Sequence, residues 1–490
     1  MSNQSVNPRT GEKFGPVFAA TTPQAMDSLI AQSVSAYKVW SHVKAAERGK
    51  ILLALAQAID DRLQDLVDIA DLETGLGKVR LTGEVGRTTF QIRSFSNALE
   101  RGEFVTPSLD EAVDAAVPQG HPKFLRTTRG IGPVAIFGAS NFPFAFSTLG
   151  GDTASALAAG CSVVIKAHPA HPQTAQLTFD IAKKALQEAG APEGLISLGH
   201  GFEFGKLVIT DPRISAGAFT GSRAGGRALF DLAQSREYPI PFYGELGSVN
   251  PVVAVESALT DPAAFAGAYL DSLLMGNGQF CTNPSVLFVP AGSIVVNEIS
   301  KQIAQRDLAP FLSEATKNLH DSNRAKVIAS TKAEIYEGKA PSGAGFFSAP
   351  MVLVVKASDV TREISGITEE CFGPTGVVVT YGHHGEVVEL LSKMEGALAS
   401  SLFASASDSS APTLIEALAS MSGRVAFNAW PTGVAVTAGQ HHGGPYPAST
   451  SSLHTSVGTQ AINRFLRPVT FQGLPDEIYS ALQSTTTKEK

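Results

Sequence analysis

The chain has 490 residues, of which 43% are hydrophobic and 17% are charged, and its formal net charge is −7. This length predicts two or three domains rather than one core, and the composition excludes an intrinsically disordered chain. Lys and Arg are scattered along the sequence, so a basic face for nucleic acid is not expected. The first residues have no basic flank leading into an apolar core, which argues against a secretory signal.

The first elements predicted along the chain are helices. Apolar residues recur at spacings of three and four over 25–43 and over 47–74, and the second run ends before Gly75. A third helical stretch follows. After it, a short strand is predicted at 123–129, within a segment broken by Pro and Gly.

The next stretch, 131–151, is uncharged and long enough by count to cross a bilayer. It contains Gly132, Pro133 and Pro143, which would leave backbone polar groups unsatisfied in lipid. A buried strand, a loop and a helix start explain it better, so no membrane association is expected.

From residue 133 onward, short β-rich runs alternate with helical stretches. The runs of the first set are PVAIFG, CSVVIK, LISLG, AGAFTG and PVVAV. A second set begins after about residue 257 with a helix at 261–275, followed by SVLFVP, MVLVV, GPTGVVV and GRVAFNAW. This alternation predicts two α/β domains with parallel sheets.

The three cysteines, Cys161, Cys281 and Cys371, are widely separated and include no CxxC pair. Neither a disulfide framework nor a zinc cluster is indicated, and a reducing, cytoplasmic setting fits best. Cys161 and Cys371 are interpreted as packing residues. Cys281 lies in GNGQFCTNPS without an apolar run around it, so a reactive thiol and an inert one both remain open.

A thiolate that attacks a carbonyl carbon needs a hydrogen-bond donor for the oxyanion and an acid–base partner. Asn141, in FGASNFPF, follows a buried strand at the carboxyl edge of the predicted sheet, where ligands collect, although loop asparagines are usually turn formers. Glu245 lies between aromatic and glycine residues, which we expect to raise its pKa and suit it to a general base. A partnered structural carboxylate is the alternative.

These residues belong to motifs that occur in a fixed order. The motifs are SNFP with Asn141, VVIKAHP with Lys166, FTGSRAGG, ELGS with Glu245, GQFCT with Cys281, and EECFGP with Glu370. With ETG at 73–75, EVGR at 84–87 and HGGPYPAST at 442–450, they make nearly the whole chain resemble the aldehyde dehydrogenase superfamily.

The resemblance implies NAD(P)-dependent oxidation of an aldehyde to a carboxylic acid. Cys281 would be the nucleophile that forms a thiohemiacetal and then a thioester. Asn141 and the Cys281 backbone N–H would form the oxyanion hole, and Glu245 would activate water. The implied cofactor residues are Lys166 for the adenosine ribose, Thr220 beside the nicotinamide, Gly221 and Ser222 at the pyrophosphate, Glu370 for the nicotinamide ribose, and Phe372 nearby.

Three positions depart from the pattern of this family. Many members have a carboxylate where this chain has Pro169, so a 2′-phosphate near Lys166 and His168 should be tolerated and NADP used at least as well as NAD. Ser140 replaces a frequent tryptophan, which opens the aldehyde pocket or leaves it to nearby phenylalanines. Ser248 replaces a more usual glycine, and the sequence gives no account of it.

The closest resemblance is to the branch with 2,5-dioxovalerate (α-ketoglutarate semialdehyde) dehydrogenases and an NADP-dependent fatty aldehyde dehydrogenase. α-Ketoglutarate semialdehyde, giving 2-oxoglutarate, is favoured, and medium- or long-chain aliphatic aldehydes are the alternative. A catalytically inactive structural relative would be expected to lack Cys281 or Glu245. No metal is expected, because the pairs His168–His171 and His441–His442 have no carboxylate or cysteine at ligand spacing in the sequence.

The implied α/β fold has three parts. They are a Rossmann-like cofactor domain of residues 1–115 and 131–246, an α/β catalytic domain of 247–460, and oligomerisation strands at 116–130 and 461–480, with a polar tail at 481–490. A cytoplasmic homodimer or homotetramer is expected, because the edge of the strand extension would need covering.

Overall fold

The computed structural model describes residues 3–115, 118–360, 364–478 and 480, so the predicted tail at 481–490 lies outside the described residues. The described residues form a five-stranded sheet, a seven-stranded sheet, a three-stranded sheet and an N-terminal hairpin. Helices cover both faces of the two larger sheets, which confirms the predicted α/β class.

The strands are short, as expected for parallel sheets. Their bounds are β1 Asn3–Val6, β2 Lys13–Phe18, β3 Ser108–Asp110, β4 Phe124–Gly130, β5 Val134–Phe137, β6 Val163–Lys166, β7 Ile196–Gly199, β8 Ala216–Thr220, β9 Phe242–Glu245, β10 Pro251–Ala254, β11 Val286–Pro290, β12 Glu334–Glu337, β13 Met351–Lys356, β14 Thr375–Tyr381, β15 Ser400–Phe403, β16 Val425–Phe427 and β17 Leu466–Gln472.

The helices vary from one turn to six. Their bounds are α1 Pro23–Trp40, α2 Ala45–Asp60, α3 Leu63–Thr74, α4 Lys78–Glu100, α5 Gly151–Ala159, α6 Pro172–Glu188, α7 Phe202–Thr210, α8 Arg223–Gln234, α9 Pro262–Leu274, α10 Val295–Ile303, α11 Glu314–Ser330, α12 Ala357–Val360, α13 Ser365–Thr368, α14 His384–Lys393 and α15 Ala411–Met421. Short 3-10 helices span Glu256–Ala258, Met275–Gly278 and Thr459–Phe465.

The five-stranded sheet is parallel, with strand order β7-β6-β5-β8-β9. Successive side chains of a strand point to opposite faces. Val134 and Ile136 of β5 therefore pack with α2 and α4, whereas Ala135 and Phe137 pack with α7 and α8. The carboxyl ends of β5, β6, β8 and β9 meet at one edge, which is where the candidate site lies.

The seven-stranded sheet has the order β12-β13-β14-β11-β10-β15-β16, and only the β12–β13 pair is antiparallel. One face packs against α14 and α15, and the other against α9 and α10. The strands predicted at 123–129 and within 461–480 are confirmed as β4 and β17, which pair antiparallel and lie beside β3.

Two expectations about the elements were wrong. The predicted helix over 47–74 is two helices, since Arg62 between α2 and α3 has φ −113° and ψ 21°. Both helices bury residues in the same core, so the apolar spacing continues through the break. The run PVVAV, grouped with the first set, forms β10 of the other sheet, and β9 takes the edge position that the sequence did not predict.

Within the described part of the chain, no helix is both long enough and apolar enough to span a bilayer. The uncharged stretch 131–151 instead contains β5, a loop and the first residue of α5. This agrees with the expectation drawn from its prolines and glycines.

Candidate active site

A cavity of about 640 Å³ lies at the carboxyl edge of the five-stranded sheet and is closed from the other side by loops that precede β11 and β14. All nine residues predicted for catalysis and cofactor binding line this cavity. They are Asn141, Lys166, Thr220, Gly221, Ser222, Glu245, Cys281, Glu370 and Phe372.

Cys281 is held in place by a tightly turned loop. Gly276, Asn277 and Gly278 have φ angles of 57°, 59° and 69°, a left-handed backbone that favours glycine. A Cβ atom on Gly278 would lie 2.1 Å from the carbonyl oxygen of Gly373, so glycine is required for this close approach. The Cys281 carbonyl also accepts a hydrogen bond from the Asn250 side chain at 2.8 Å. The thiol position is therefore fixed by its backbone.

Glu245 ends β9 and is buried. Its Oε1 lies 2.8 Å from His442 Nε2, and its Oε2 accepts a hydrogen bond of 2.6 Å from Ser456 Oγ. Both partners come from the C-terminal segment that packs against the end of β9, where Leu246 N–H donates to the Ala448 carbonyl at 2.8 Å. The carboxylate is thus anchored by residues about 200 positions further along the chain.

The sequence suggested that the surroundings of Glu245 raise its pKa, and this expectation is wrong. Burial does act in that direction and is the largest single influence. The ion pair with His442 and hydrogen bonds from Ser456 and Cys281 together outweigh it, so the pKa of Glu245 lies below its usual value. Its carboxylate is therefore ionised and able to accept a proton.

Cys281 Sγ lies 3.7 Å from the same His442 Nε2. Burial, followed by the neighbouring Glu245 carboxylate, raises the pKa of the Cys281 thiol well above its usual value. In this arrangement the resting thiol is neutral, so attack on a carbonyl requires transfer of its proton. The ionised Glu245 carboxylate is the adjacent acceptor, and His442 Nε2–H donates to it at 2.8 Å.

His442 is the functional residue that the sequence analysis missed. The sequence excluded it only as a metal ligand, because no carboxylate or cysteine lies at ligand spacing, yet both lie beside it in the fold. The available signal was the HGGPYPAST motif, which begins at His442. Spacing alone could not distinguish it from the adjacent His441.

Asn141 lies in the loop after β5 and is buried. Its Nδ2 donates to the Gln279 carbonyl at 2.9 Å, which occupies one of the two amide hydrogens and leaves the other available. Glu84 fixes the same loop by accepting the backbone N–H groups of Phe144 at 2.8 Å and Ala145 at 3.0 Å. The arrangement suits a positioned donor beside the thiol.

The wall around Asn141 is aromatic. Phe142 contacts Phe146 and Phe280 edge-on, with ring centroids 5.3 and 5.2 Å apart. Ser140, Phe142 and Phe146 all line the cavity. Phe142 and Phe146 are the phenylalanines that follow Ser140 at this wall, and that they shape an aldehyde pocket stays a prediction.

At the other end of the cavity, Lys166 ends β6, and burial lowers its pKa to about 8. His168 accepts the Ala170 N–H on Nδ1 at 3.1 Å, which places its own hydrogen on Nε2. Burial, with smaller effects of His171 and Lys166, holds the pKa of His168 well below its usual value. His168 can therefore offer a hydrogen bond but no charge, whereas Lys166 and Lys206, which also line the cavity, carry positive charge.

Ser222 caps α8, where its Oγ accepts the Gly225 N–H at 3.3 Å. The helix start predicted in GSRAGG is therefore observed, and Ser222 and Gly225 at this start line the cavity. Gly221 N–H donates to the Glu245 carbonyl at 3.1 Å and joins the ends of β8 and β9. A helix N-terminus of this kind favours phosphate groups.

Glu370 enters the cavity beside Gly247. A Cβ atom on residue 247 would lie 1.9 Å from Oε2 of Glu370, so only glycine leaves room for this carboxylate. Burial raises the pKa of Glu370 to about 7, and a hydrogen bond from the Ser248 backbone N–H opposes this. Ser248 also has a structural role, because its Oγ accepts the Leu398 N–H at 3.2 Å. Phe372, with φ 43°, turns the chain so that it also lines the cavity.

Comparison with known proteins agrees with this geometry. The model of the aldehyde dehydrogenase family matches residues 1–470. An alpha-ketoglutaric semialdehyde dehydrogenase of Acinetobacter baylyi is 37% identical, covering 96% of this chain and 92% of the relative. Alpha-ketoglutaric semialdehyde dehydrogenase 2 of Azospirillum brasilense is 36% identical, covering 97% of this chain and 92% of the relative. This chain belongs to the aldehyde dehydrogenase family.

Solved structures show the same fold. A Thermus 1-pyrroline-5-carboxylate dehydrogenase with bound NAD superposes with a TM-score of 0.82 at 21% identity, covering 96% of this chain and 90% of that chain. PnpE in complex with nicotinamide adenine dinucleotide superposes with a TM-score of 0.81 at 23% identity, covering 97% of this chain and 95% of that chain.

The raised pKa of Glu370 leads to a prediction about pH. Hydrogen bonds from ribose hydroxyls favour the ionised carboxylate, which in the free protein is complete only above about pH 7. NAD should therefore bind more tightly as pH rises from about 5.5 to 7.5, by up to about tenfold per unit below the pKa. Lys166, with its pKa of about 8, stays largely protonated over this range.

The measurement is the dissociation constant of NAD by fluorescence titration across that range. The Glu370→Gln variant should bind NAD more weakly than the unmodified protein at the highest pH of this range, and its affinity should no longer rise with pH in this way. The same slope in both proteins would assign the titration to another group.

Proposed function

We propose that the chain oxidises an aldehyde to a carboxylic acid with a nicotinamide dinucleotide as hydride acceptor. The observation that carries this proposal is one cavity with a thiol, an amide donor and an ionised carboxylate at one end. Its other end has a helix N-terminus and a buried lysine. This combination suits a covalent acyl intermediate formed beside a phosphate-bearing cofactor.

In the proposed reaction the Cys281 thiol gives its proton to the Glu245–His442 pair, and Sγ attacks the aldehyde carbon. The second amide hydrogen of Asn141 and the Cys281 backbone N–H stabilise the oxyanion. Removing a single donor of this type costs about 3–4 kcal/mol of transition-state stabilisation. Loss of hydride leaves a thioester on Sγ. Glu245 first releases the thiol proton to solvent. It then takes a proton from a water molecule that attacks the thioester, and this proton passes to the departing sulfur, which releases the acid and restores the thiol.

The cofactor, when bound, supplies the hydride acceptor. Its proposed holders are Ser222 with the first turn of α8 for the pyrophosphate, Lys166 for the adenosine ribose, and Thr220, Gly221, Glu370 and Phe372 around the nicotinamide ribose. Gly247 supports this assignment, because the absence of a Cβ there admits the Glu370 carboxylate to the cavity. We also propose residues 1–115 and 131–246 as the cofactor domain, 247–460 as the catalytic domain, and 116–130 with 461–480 as the oligomerisation strands.

The proposed substrate is α-ketoglutarate semialdehyde, oxidised to 2-oxoglutarate. Two relatives above 35% identity carry the name of that activity. Such a substrate needs a cation for its distal carboxylate, and Arg87 is suitably placed. Its guanidinium lies 5.0 Å from the centre of the Phe146 ring, which lines the cavity, and interacts electrostatically with Glu245 and Cys281.

NADP is proposed to be used at least as well as NAD. Pro169 is exposed at the cavity wall beside His168 and has no side-chain acceptor for a ribose 2′-hydroxyl. Lys166 supplies positive charge, and the Nε2–H of His168 can donate a hydrogen bond to an oxygen of the 2′-phosphate. A cytoplasmic homodimer or homotetramer is also proposed, supported by the free edges of the β17-β4-β3 sheet.

The first test compares aldehydes. Purified protein should reduce NADP with α-ketoglutarate semialdehyde at a higher kcat/KM than with succinic semialdehyde, a medium-chain aldehyde or benzaldehyde. Absorbance of the reduced nicotinamide is the readout. Cys281→Ala should show no turnover, whereas Cys371→Ala, which removes another thiol, should retain it. A preference for the medium-chain aldehyde would place the enzyme in aliphatic aldehyde oxidation, which the aromatic wall also permits.

The second test addresses Arg87. A charge-assisted hydrogen bond contributes about 1.5–3 kcal/mol, so Arg87→Gln should raise KM for the semialdehyde by about tenfold to a hundredfold. The medium-chain aldehyde should be affected much less. Arg93→Gln is the matched control, since Arg93 lies on the same helix but pairs with Asp60 at 2.7 Å near the surface. Equal losses with both aldehydes would show that Arg87 supports the fold rather than the substrate.

The third test addresses Pro169. Pro169→Glu introduces a carboxylate that repels a 2′-phosphate and accepts a bond from a 2′-hydroxyl, so KM for NADP should rise at least about tenfold relative to that for NAD. Pro169→Gln, which also removes the proline but adds no charge, separates the electrostatic effect from the change of backbone. Activity of the unmodified protein with NAD alone would contradict the proposal.

A further inference from the structure

Glu245, Cys281 and His442 also resemble a metal-binding set. One carboxylate oxygen, Sγ and one imidazole nitrogen lie within 4.8 Å of one another. They differ from an acidic surface cluster, because each contributes a different donor type and His442 and Glu245 are almost completely buried.

One distance between the donor atoms, from sulfur to nitrogen, matches that of a tetrahedral zinc site, and the distance from nitrogen to oxygen is shorter. Zinc bonds of about 2.3 Å to sulfur, 2.0 Å to nitrogen and 2.1 Å to oxygen place S and N about 3.6 Å apart and N and O about 3.4 Å apart. Here Cys281 Sγ to His442 Nε2 is 3.7 Å, and His442 Nε2 to Glu245 Oε1 is 2.8 Å. When an ion binds, the carboxylate and the imidazole would have to move apart by roughly half an ångström to make room for it.

We propose that these three residues bind Zn²⁺, or a divalent transition ion of similar softness, as a reversible inhibitor that competes with the aldehyde. The thiolate and imidazole exclude Mg²⁺ and Ca²⁺, which prefer oxygen ligands. Coordination replaces the S–H bond of Cys281 by a Zn–S bond, and the proton leaves to solvent. His442 binds through Nε2 and carries its hydrogen on Nδ1.

The fourth coordination position faces the cavity, which Cys281 and Glu245 line. A water molecule occupies it in the proposed complex, as in zinc sites with three protein ligands. The same opening admits the ion. Since the thiolate sulfur is then bound to the metal, it is unavailable for attack on a carbonyl carbon.

The surroundings of His442 fit an exchangeable ion rather than a resident one. Histidines of tight zinc sites donate their second N–H to an acceptor, and loss of that acceptor costs about tenfold to a hundredfold in affinity. Among the described residues, His442 Nδ1 has no hydrogen-bond partner. Chelators should therefore remove the metal readily and restore the free thiol.

The test is titration of the purified, cofactor-free protein with Co²⁺, a spectroscopic substitute for Zn²⁺. One ion per chain should bind and give a thiolate-to-metal charge-transfer band in the near ultraviolet, with visible bands of tetrahedral cobalt. His442→Asn should lower the affinity by at least about tenfold, by loss of one of three ligands. His441→Asn, one position away and outside the set, should bind like the unmodified protein.

Binding needs no turnover, so its outcome is independent of the proposed oxidation. X-ray absorption of the Zn²⁺ complex gives the ligands without any variant, and one sulfur with three nitrogen or oxygen atoms is expected. In activity assays, Zn²⁺ should raise the apparent KM for the aldehyde, and a chelator should reverse this. A cobalt complex without a thiolate band, no sulfur ligand, or equal affinities of the two histidine variants would each overturn the proposal.

Discussion

The site depends on the burial of one carboxylate. Glu245 stands at the end of β9, where an unpaired charge would cost several kcal/mol of folding free energy. Its partners His442 and Ser456 come from the C-terminal part of the chain, so that segment must return to the five-stranded sheet before the carboxylate can stay ionised. The interaction that stabilises the buried charge is therefore also the one that assembles the catalytic centre.

The same carboxylate controls the thiol. Burial, followed by the ionised Glu245 nearby, raises the pKa of Cys281, so the resting enzyme holds a neutral, weakly nucleophilic sulfur. Such a thiol resists adventitious oxidation, since the thiolate is the reactive form. The cost is that attack needs a proton acceptor within reach, and the Glu245–His442 pair supplies it.

Local sequence signals predicted most of the framework and the cofactor end of the cavity. The strands β5, β6, β7 and β8 are continuous apolar runs, and Ser222 caps α8 within a six-residue stretch. Strand β9 was missed because FYGE has a glycine and a glutamate among its four residues. The break at Arg62 was missed because a helical apolar period says nothing about where the backbone leaves the helix. His442 was missed for a third reason, since a side chain defined by contacts across 161 residues has no local pattern.

The contrast between local patterns and long-range contacts explains why the sequence predicts the cofactor end of the cavity better than the substrate end. Phosphate recognition by backbone N–H groups needs a strand, a turn and a helix start, all contiguous in the chain. The thiol end of the cavity combines the loop after β5 and the Cys281 loop with His442 of the C-terminal segment, and the proposed substrate cation, Arg87, comes from α4. Each of these segments has an ordinary sequence. Arg87 becomes a candidate for the substrate carboxylate only through its contact with Phe146 and its electrostatic interaction with the thiol. Substrate choice in this fold is thus a property of packing between distant segments, which no single motif encodes.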